Sequence, residues 1–271
     1  MAKYILTTQT KECNGKTLYR IQATKDFCYV KTGQLGGYIE KEENLSQYGD
    51  CWVHHDACLN DNAYVDGNSI ICDNAKVHGN ARVHNSYVGG FSSIGEDVVL
   101  VDKVCVMENS QLFGQAKLYS GVIVTNNAKV YGHAAIYGDV RIKDNCEVFG
   151  DAIINDNAVI CQNAKVTGGI ITNSAHIGGN VVIRKDAYIF GDAYIQKSSD
   201  ILNIEYIGEN DAILFFKTKG NNICVTCNGY HLYLKDFESI LMDEFPASSI
   251  EEYKLAIQFA KQIMNYDIIC M

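Results

Sequence analysis

Aliphatic residues recur every six positions through the middle of this chain. Val53, Leu59, Val65, Ile71, Val77 and Val83 stand six apart. The series loses one residue and resumes at Val88. It then runs through Ile94, Leu100, Val106, Leu112, Leu118, Val124, Val130, Ile136, Ile142, Val148, Ile154, Ile160 and Val166. It loses one more residue and ends with Ile171, Ile177, Ile183, Ile189, Ile195 and Ile201. Two residues before these positions sit small residues such as Cys51, Ala57, Ala63, Ser69, Ala75, Ala81 and Ala193. Three residues after them the usual residue is Asn or Asp, as at Asp56, Asn62, Asn74, Asn80, Asn127 and Asn163, often preceded by Gly.

Call the aliphatic position i. Residues i−2 and i lie two apart, so on a strand they point to the same side. That side is apolar in nearly every hexad and is therefore buried. Gly and Asn or Asp tolerate positive φ and mark a bend. Each hexad is then a short strand plus a corner, and three hexads close a triangular coil. A short period with this punctuation is the signature of a parallel β-helix. The fold class is an all-β solenoid over residues 51–202. At about 4.8 Å per stacked strand, its eight to nine coils would make a rod roughly 40 Å long.

The flanks have a different texture. Residues 1–50 read as a hairpin and cap: Tyr4–Thr8 and Thr17–Ala23 flank Asn14-Gly15, a strong turn pair. A β-helix exposes unpaired strand at each end, so a cap there is expected. Residues 203–271 read as a small α+β domain docked on the last coil. Ile204–Ile207, Ala212–Thr218 and Asn222–Cys227 suit strands, and Lys235–Met242 a short helix. After Pro246, the only proline, Ser248 and Glu251 have the spacing of a capping box. Ile250, Tyr253, Ile257, Ala260 and Met264 then make the apolar stripe of a second helix.

Composition narrows the function classes. The chain has 271 residues, 23 basic and 32 acidic, with net charge −9. An acidic rod does not suit sequence-independent nucleic-acid binding, which needs clustered Lys and Arg. Eleven Cys at irregular spacing read as small buried hydrophobes rather than a disulfide framework, which favours a reducing cytoplasm. No stretch has the length and apolarity of a membrane span or a signal peptide.

The repeat resembles the hexapeptide-repeat, left-handed β-helix family across residues 51–201. That family commonly has Gly directly after the aliphatic residue, as at Gly95 and Gly178; here Gly mostly comes one residue later. The spacing alone fits either hand; the resemblance implies the left hand and a parallel homotrimer. With its hairpin, the Gly36-Gly37-Tyr38-Ile39-Glu40 approach and the C-terminal unit, nearly the whole chain is similar to a group of β-helix proteins of bacteria and their phages. This second resemblance implies a phage or mobile-element origin and no particular chemistry.

Candidate chemistry is sparse. Acyltransferases of the hexapeptide family use a His general base and substrate loops. Here His54, His55, His78, His84, His133 and His176 lie in the repeat, but no insertion interrupts it. The related carbonic-anhydrase type needs three closely spaced His on one zinc, and no such spacing occurs. Cys224-Val-Thr-Cys227 with His231 lacks a second Cys pair, and on a strand its two Cys face opposite sides. No catalytic residue, metal or cofactor is assigned. Outward positions say more. Eighteen residues return the chain to the same face, so one face stacks Val99, Val101, Tyr119, Ala135, Tyr137 and Ile153, and another stacks Phe113, Tyr131 and Phe149. Such ladders mark either a covered surface or a subunit interface. Arg82, Lys129, Arg141 and Arg184 are the candidates for ligand phosphates. The expected function is a non-catalytic, homo-oligomeric scaffold or binding protein with a small-molecule or protein partner. A nucleotide-binding or sequestering protein is the alternative, and an acyltransferase the second.

Overall fold

A computed structural model describes residues 2–13, 15–208 and 211–266. Two-residue and three-residue strands follow one another from Trp52–Val53 to Tyr194–Ile195 and stack in parallel as a β-solenoid of about nine turns. They form three faces. Face I begins with Trp52–Val53 and has nine strands; face II contains Cys58–Leu59; face III begins with Tyr64–Asp66 and has eight strands. Register is kept from coil to coil, as in Ile94↔Leu112↔Val130↔Val148 on face II. Every aliphatic residue from Val53 to Ile195 at position i is buried. The core is therefore a set of ladders along the axis, with the small i−2 residues filling the corners.

The bend sits one residue earlier than the Asn/Asp pattern indicates. Residue i+2 takes positive φ at nearly every corner, Lys185 excepted: Asp61, Asp73, Glu96, Glu108, Asn126, Asp144, Asp156, Gln162 and Asn173 all lie between 55° and 66°. Glycine is one solution there and a short polar side chain is another, because that side chain hydrogen-bonds along the rod. Asp61 accepts the Gly79 N–H at 3.0 Å, Asp73 the Gly90 N–H at 2.9 Å, Glu96 the Gly114 N–H at 2.8 Å and Asp144 the Gln162 N–H at 2.9 Å. The i+3 asparagines form a separate ladder, Asn109–Asn127–Asn145–Asn163–Asn180, at 3.0–3.2 Å. At the first of the two shortened hexads, Asn85 makes the corner with φ 47°; at the second, Gly168 and Gly169 do so with φ 152° and 81°.

The N-terminal hairpin, Tyr4–Cys13 with Lys16–Ala23, is antiparallel and joins face II through Leu35–Ile39, which pairs parallel to Cys58–Leu59. Asn14 of the expected turn lies outside the described residues. Gly36 and Gly37 are required by contact: a Cβ on them would sit 2.6 Å from Val53 O and from Ala57 O. Lys3 is buried beneath the first coil and donates to the Cys51 carbonyl at 2.9 Å. Trp52 is covered by the ring edges of Tyr4 and Phe27.

Sequence periodicity carries the repeat to Ile201, but the solenoid stops one hexad earlier. Asp200 accepts the Gln196 and Lys197 N–H groups at 3.0 and 3.1 Å, closing a 3-10 turn over Ser198–Asp200. Ile201 then opens the strand Ile201–Ile207 of a four-stranded antiparallel sheet with Asp211–Lys217, Ile223–Cys227 and Tyr230–Tyr233. The last of these strands is not apparent from the sequence pattern. Two helices, α1 (Leu234–Glu244) and α2 (Ile250–Ile263), cover one side of the sheet. The α2 stripe of Ile250, Tyr253, Ile257, Ala260 and Met264 is buried as patterned. The capping box does not form: Ser249 is the N-cap, without a side-chain bond, while Glu252 turns away to accept the Gly208 N–H at 2.7 Å. The sheet is buried on both sides. Leu214, Phe216 and Cys224 pack on the solenoid core; Ile213, Phe215, Val225 and Cys227 pack on the helices.

Candidate functional site

The outward residues of face III stand in register. Val99, Lys117, Ala135, Ile153 and Ile170 form one column, and Val101, Tyr119 and Tyr137 the next. Lys117 interrupts the apolar run that the spacing places there. Val99, Val101, Tyr119, Ala135 and Ile153 are half-buried by their neighbours, and Tyr137 is 42 % exposed. The Tyr137 hydroxyl accepts from the Asn155 side chain at 3.0 Å.

Face II carries the second ladder as a stack of rings. Phe113, Tyr131 and Phe149 lie 4.6 and 4.8 Å apart and within 7° of parallel. Each ring is covered by the next, and the Tyr131 hydroxyl donates to Glu147 at 3.1 Å. This ladder therefore satisfies much of its own surface within the chain. Face I holds an outward column that the sequence reading passed over: Ile70, Tyr87, Cys105, Ile123 and Val159, in register and broken by Arg141. Its signal in the sequence is the apolar residue at position i−1, directly before the buried aliphatic of these face I strands.

The four phosphate candidates are not brought together. Arg82 is on face III, Lys129 and Arg184 on face II, and Arg141 on face I. Arg184 alone lines a cleft, of about 260 Å³, together with Val182, Asp186, Ile201, Leu202 and Leu214, where the solenoid meets the C-terminal sheet.

The histidines point outward or occupy corners and bond locally. His84 contacts the Asp66 carboxylate at 2.7 Å, His78 the Ser93 hydroxyl at 3.2 Å and His176 the Cys161 sulfur at 3.3 Å. Burial lowers the pKa of His176 and raises that of Cys161, so both groups of this pair are held neutral. Cys224 faces the solenoid and Cys227 the helices, and burial pushes their thiols up to about 12 and about 11. His231 stacks on Tyr188 at 4.1 Å. Among the described residues no three His, Cys, Asp or Glu side chains converge as a metal site would need, and no helix is long and apolar enough to cross a membrane.

Surfaces, then, are what the molecule offers: an apolar ladder on each of three flat faces, and shallow clefts that include the one beside Arg184. Compared with known proteins, the chain matches no protein-family model and no curated protein.

Proposed function

We propose that this chain is a non-catalytic binding scaffold whose copies assemble as a homotrimer through face III, in the manner of left-handed hexapeptide-repeat β-helices. One observation carries the reading. Val101, Tyr119 and Tyr137 form a straight apolar column on a flat sheet, beside Val99, Ala135 and Ile153, and no other part of the described chain packs over it. An interface through such a column is heterologous, because each copy sets face III against a different surface of its neighbour. A three-fold ring then closes without a sticky end. Face I, with Ile70, Tyr87, Ile123 and Val159, supplies the apolar complement. Tyr119 and Tyr137 are the anchors, since buried aromatics dominate interface energetics.

The test is the mass in solution by light scattering, for the native chain and for the double variant Tyr119→Glu, Tyr137→Glu. The expected outcome is a trimer that becomes a monomer with unchanged far-ultraviolet circular dichroism, because the core lies on the other side of the strand. A native monomer, or a variant that stays trimeric, removes face III as the interface.

A further inference from the structure

The tip of the N-terminal hairpin is bent over the outside of face II. Cys13 ends the strand Tyr4–Cys13, and two strands, Lys16–Ala23 and Leu35–Ile39, separate it in the sheet from Cys58. In a flat sheet the two cysteines would stand about 14 Å apart, at about 4.8 Å per strand. Instead Cys13, Leu18 and Cys58 form one small buried cluster, with Tyr38 packed against it. Lys11 reaches across the same bend: its ammonium donates to the Asp56 carbonyl at 3.0 Å and lies 5.3 Å from the centre of the Tyr38 ring. Lys16 spans it too, donating to Glu40 at 3.1 Å and to Asp61. Cys58 holds an outward position on face II and is nonetheless fully buried, because this tip covers it.

We infer that Cys13 and Cys58 are an oxidation site: a small-molecule disulfide converts their two thiols to one protein disulfide, which fastens the hairpin tip to the first coil of the solenoid.

The chemistry is a two-step exchange. The thiolate of Cys13, the less buried of the two, attacks one sulfur of the reagent and expels the other half as a thiol. The Cys58 thiolate then displaces the second half from Cys13. Two protein thiols are oxidised, one reagent disulfide is reduced to two thiols, and the two protons pass to those leaving groups. Burial pushes the Cys58 thiol up to about 11; Lys11 opposes the shift and the adjoining Cys13 thiol adds to it. The Cys58 thiolate is therefore scarce, and closure depends on contact with Cys13 rather than on intrinsic reactivity.

Other cysteines are engaged elsewhere. Cys51 lies 3.1 Å from the Lys3 ammonium, Cys72 3.0 Å from the Tyr87 hydroxyl and Cys161 3.3 Å from His176. Cys224 and Cys227 face opposite sides of their sheet. Cys28 is exposed and serves as an internal gauge of oxidation. In the reduced chain only non-covalent contacts hold the tip. The disulfide closes the loop from Cys13 to Cys58 and removes the conformations in which the tip is open. The site is independent of assembly through face III, because face II takes no part in that contact.

The experiment incubates the reduced full chain with glutathione disulfide until Cys28 is fully glutathionylated. Remaining thiols are blocked with N-ethylmaleimide in denaturant. Digestion with trypsin and chymotrypsin, without reduction, places Cys13, Cys51, Cys58 and Cys72 in different peptides for mass spectrometry. The expected product joins the Cys13 peptide to the Cys58 peptide. In the linked chain, amide exchange of Tyr4–Cys13 should slow at least about tenfold relative to the reduced chain. Cys13→Ala should show no difference between the two conditions. Cys13 recovered as its maleimide adduct, as a mixed disulfide with glutathione or joined to another cysteine would overturn the inference, as would a link that leaves the exchange unchanged.

Discussion

The two ends of the solenoid use the same local turn for opposite purposes. At the N-terminal end, Glu42–Asn44 form a 3-10 turn in which Asn44 accepts the Lys41 N–H at 3.0 Å. At the C-terminal end, Ser198–Asp200 form its counterpart, with Asp200 accepting the Lys197 N–H. Beyond the first turn the chain enters the solenoid: Leu45 bridges to Val65 and Ser46 N–H bonds the Val65 carbonyl at 2.9 Å. Beyond the second it leaves. The difference lies in what each side chain can donate. The Asn44 carboxamide, fully buried, also gives its two hydrogens to the Asp61 and Ala63 carbonyls at 3.2 and 2.9 Å, binding the turn to the coil above. An ionised Asp200 has no hydrogen to give. The turn geometry is therefore common to both ends; the extra donors tie one end into the stack.

A charge in mid-rod sets the upper limit against which both ends can be measured. Val130 is fully buried among apolar ladders. Val130→Asp should cost more than about 4 kcal/mol in chemical denaturation, because no partner exists for the carboxylate. A cost near that of an exposed substitution would mean the ladder is misassigned.

Asn44→Asp comes next. It replaces two donated hydrogen bonds by a carboxylate facing two carbonyls, and should cost about 2–4 kcal/mol at neutral pH. The native-state pKa of the new acid would be raised above the unfolded value of about 3.9, so the deficit should shrink as pH falls through that raised value and level off below about pH 4. A deficit independent of pH would show that Asn44 acts by shape alone.

Acid should weaken the unmodified rod in the opposite sense. The Asp73 carboxyl is held below its ordinary range by the Gly90 N–H. Asp61 is lowered by Lys16 and then the Gly79 N–H, and Asp156 by the Thr172 hydroxyl and then the Asn173 N–H. Groups depressed in the folded state contribute stability that is complete above the unfolded carboxylate pKa, about 3.9, and is lost as pH falls through the folded values. Through these carboxylates the melting temperature should decline below about pH 4, on top of a shallower loss that begins below about pH 6.5, where His54, His176 and His231, whose pKa burial lowers, are protonated in the unfolded chain first. Replacing Asp73 by Asn should flatten that decline; an unchanged curve would dissociate the corners from acid sensitivity.

The smallest effect belongs to Asp200→Asn. The oxygen that accepts from Gln196 and Lys197 remains, and only a 3.9 Å pairing with Lys217 is lost. The expected cost is under about 1 kcal/mol. A cost equal to that of Asn44→Asp would abolish the distinction between the two ends.

The contrast also shows which parts of the fold could be read from sequence. The ladders of Val, Ile and Leu were legible because each coil contacts only its neighbours, so one local rule repeats without long-range information. The hairpin and the α2 stripe were legible for similar reasons, through a turn pair and a helical period. The bend was placed by residue type on Asn or Asp as well as Gly, whereas the geometry fixes it at i+2 and admits Glu96 and Gln162 there. Ile201 fits the period and still leaves the rod, because Asp200 rearranges the preceding turn and Phe216 takes Ile201 as its partner. The cleft beside Val182 exists only through that departure, so no motif could have announced it. Phe215 and Phe216 are adjacent apolar residues in sequence, and only the two-sided burial of their sheet explains both.

The corner bonds that run from each coil to the next carry a further consequence. Asp61 to Gly79 and Asp144 to Gln162 are the same kind of contact on two faces, each joining residues eighteen apart. The joint between neighbouring coils is therefore interchangeable along the rod, and a gene can lengthen or shorten the protein by tandem duplication or loss of that unit without redesigning either terminus. The molecule behaves as a ruler graduated in steps of about 4.8 Å, with the separation of its two end structures a heritable length.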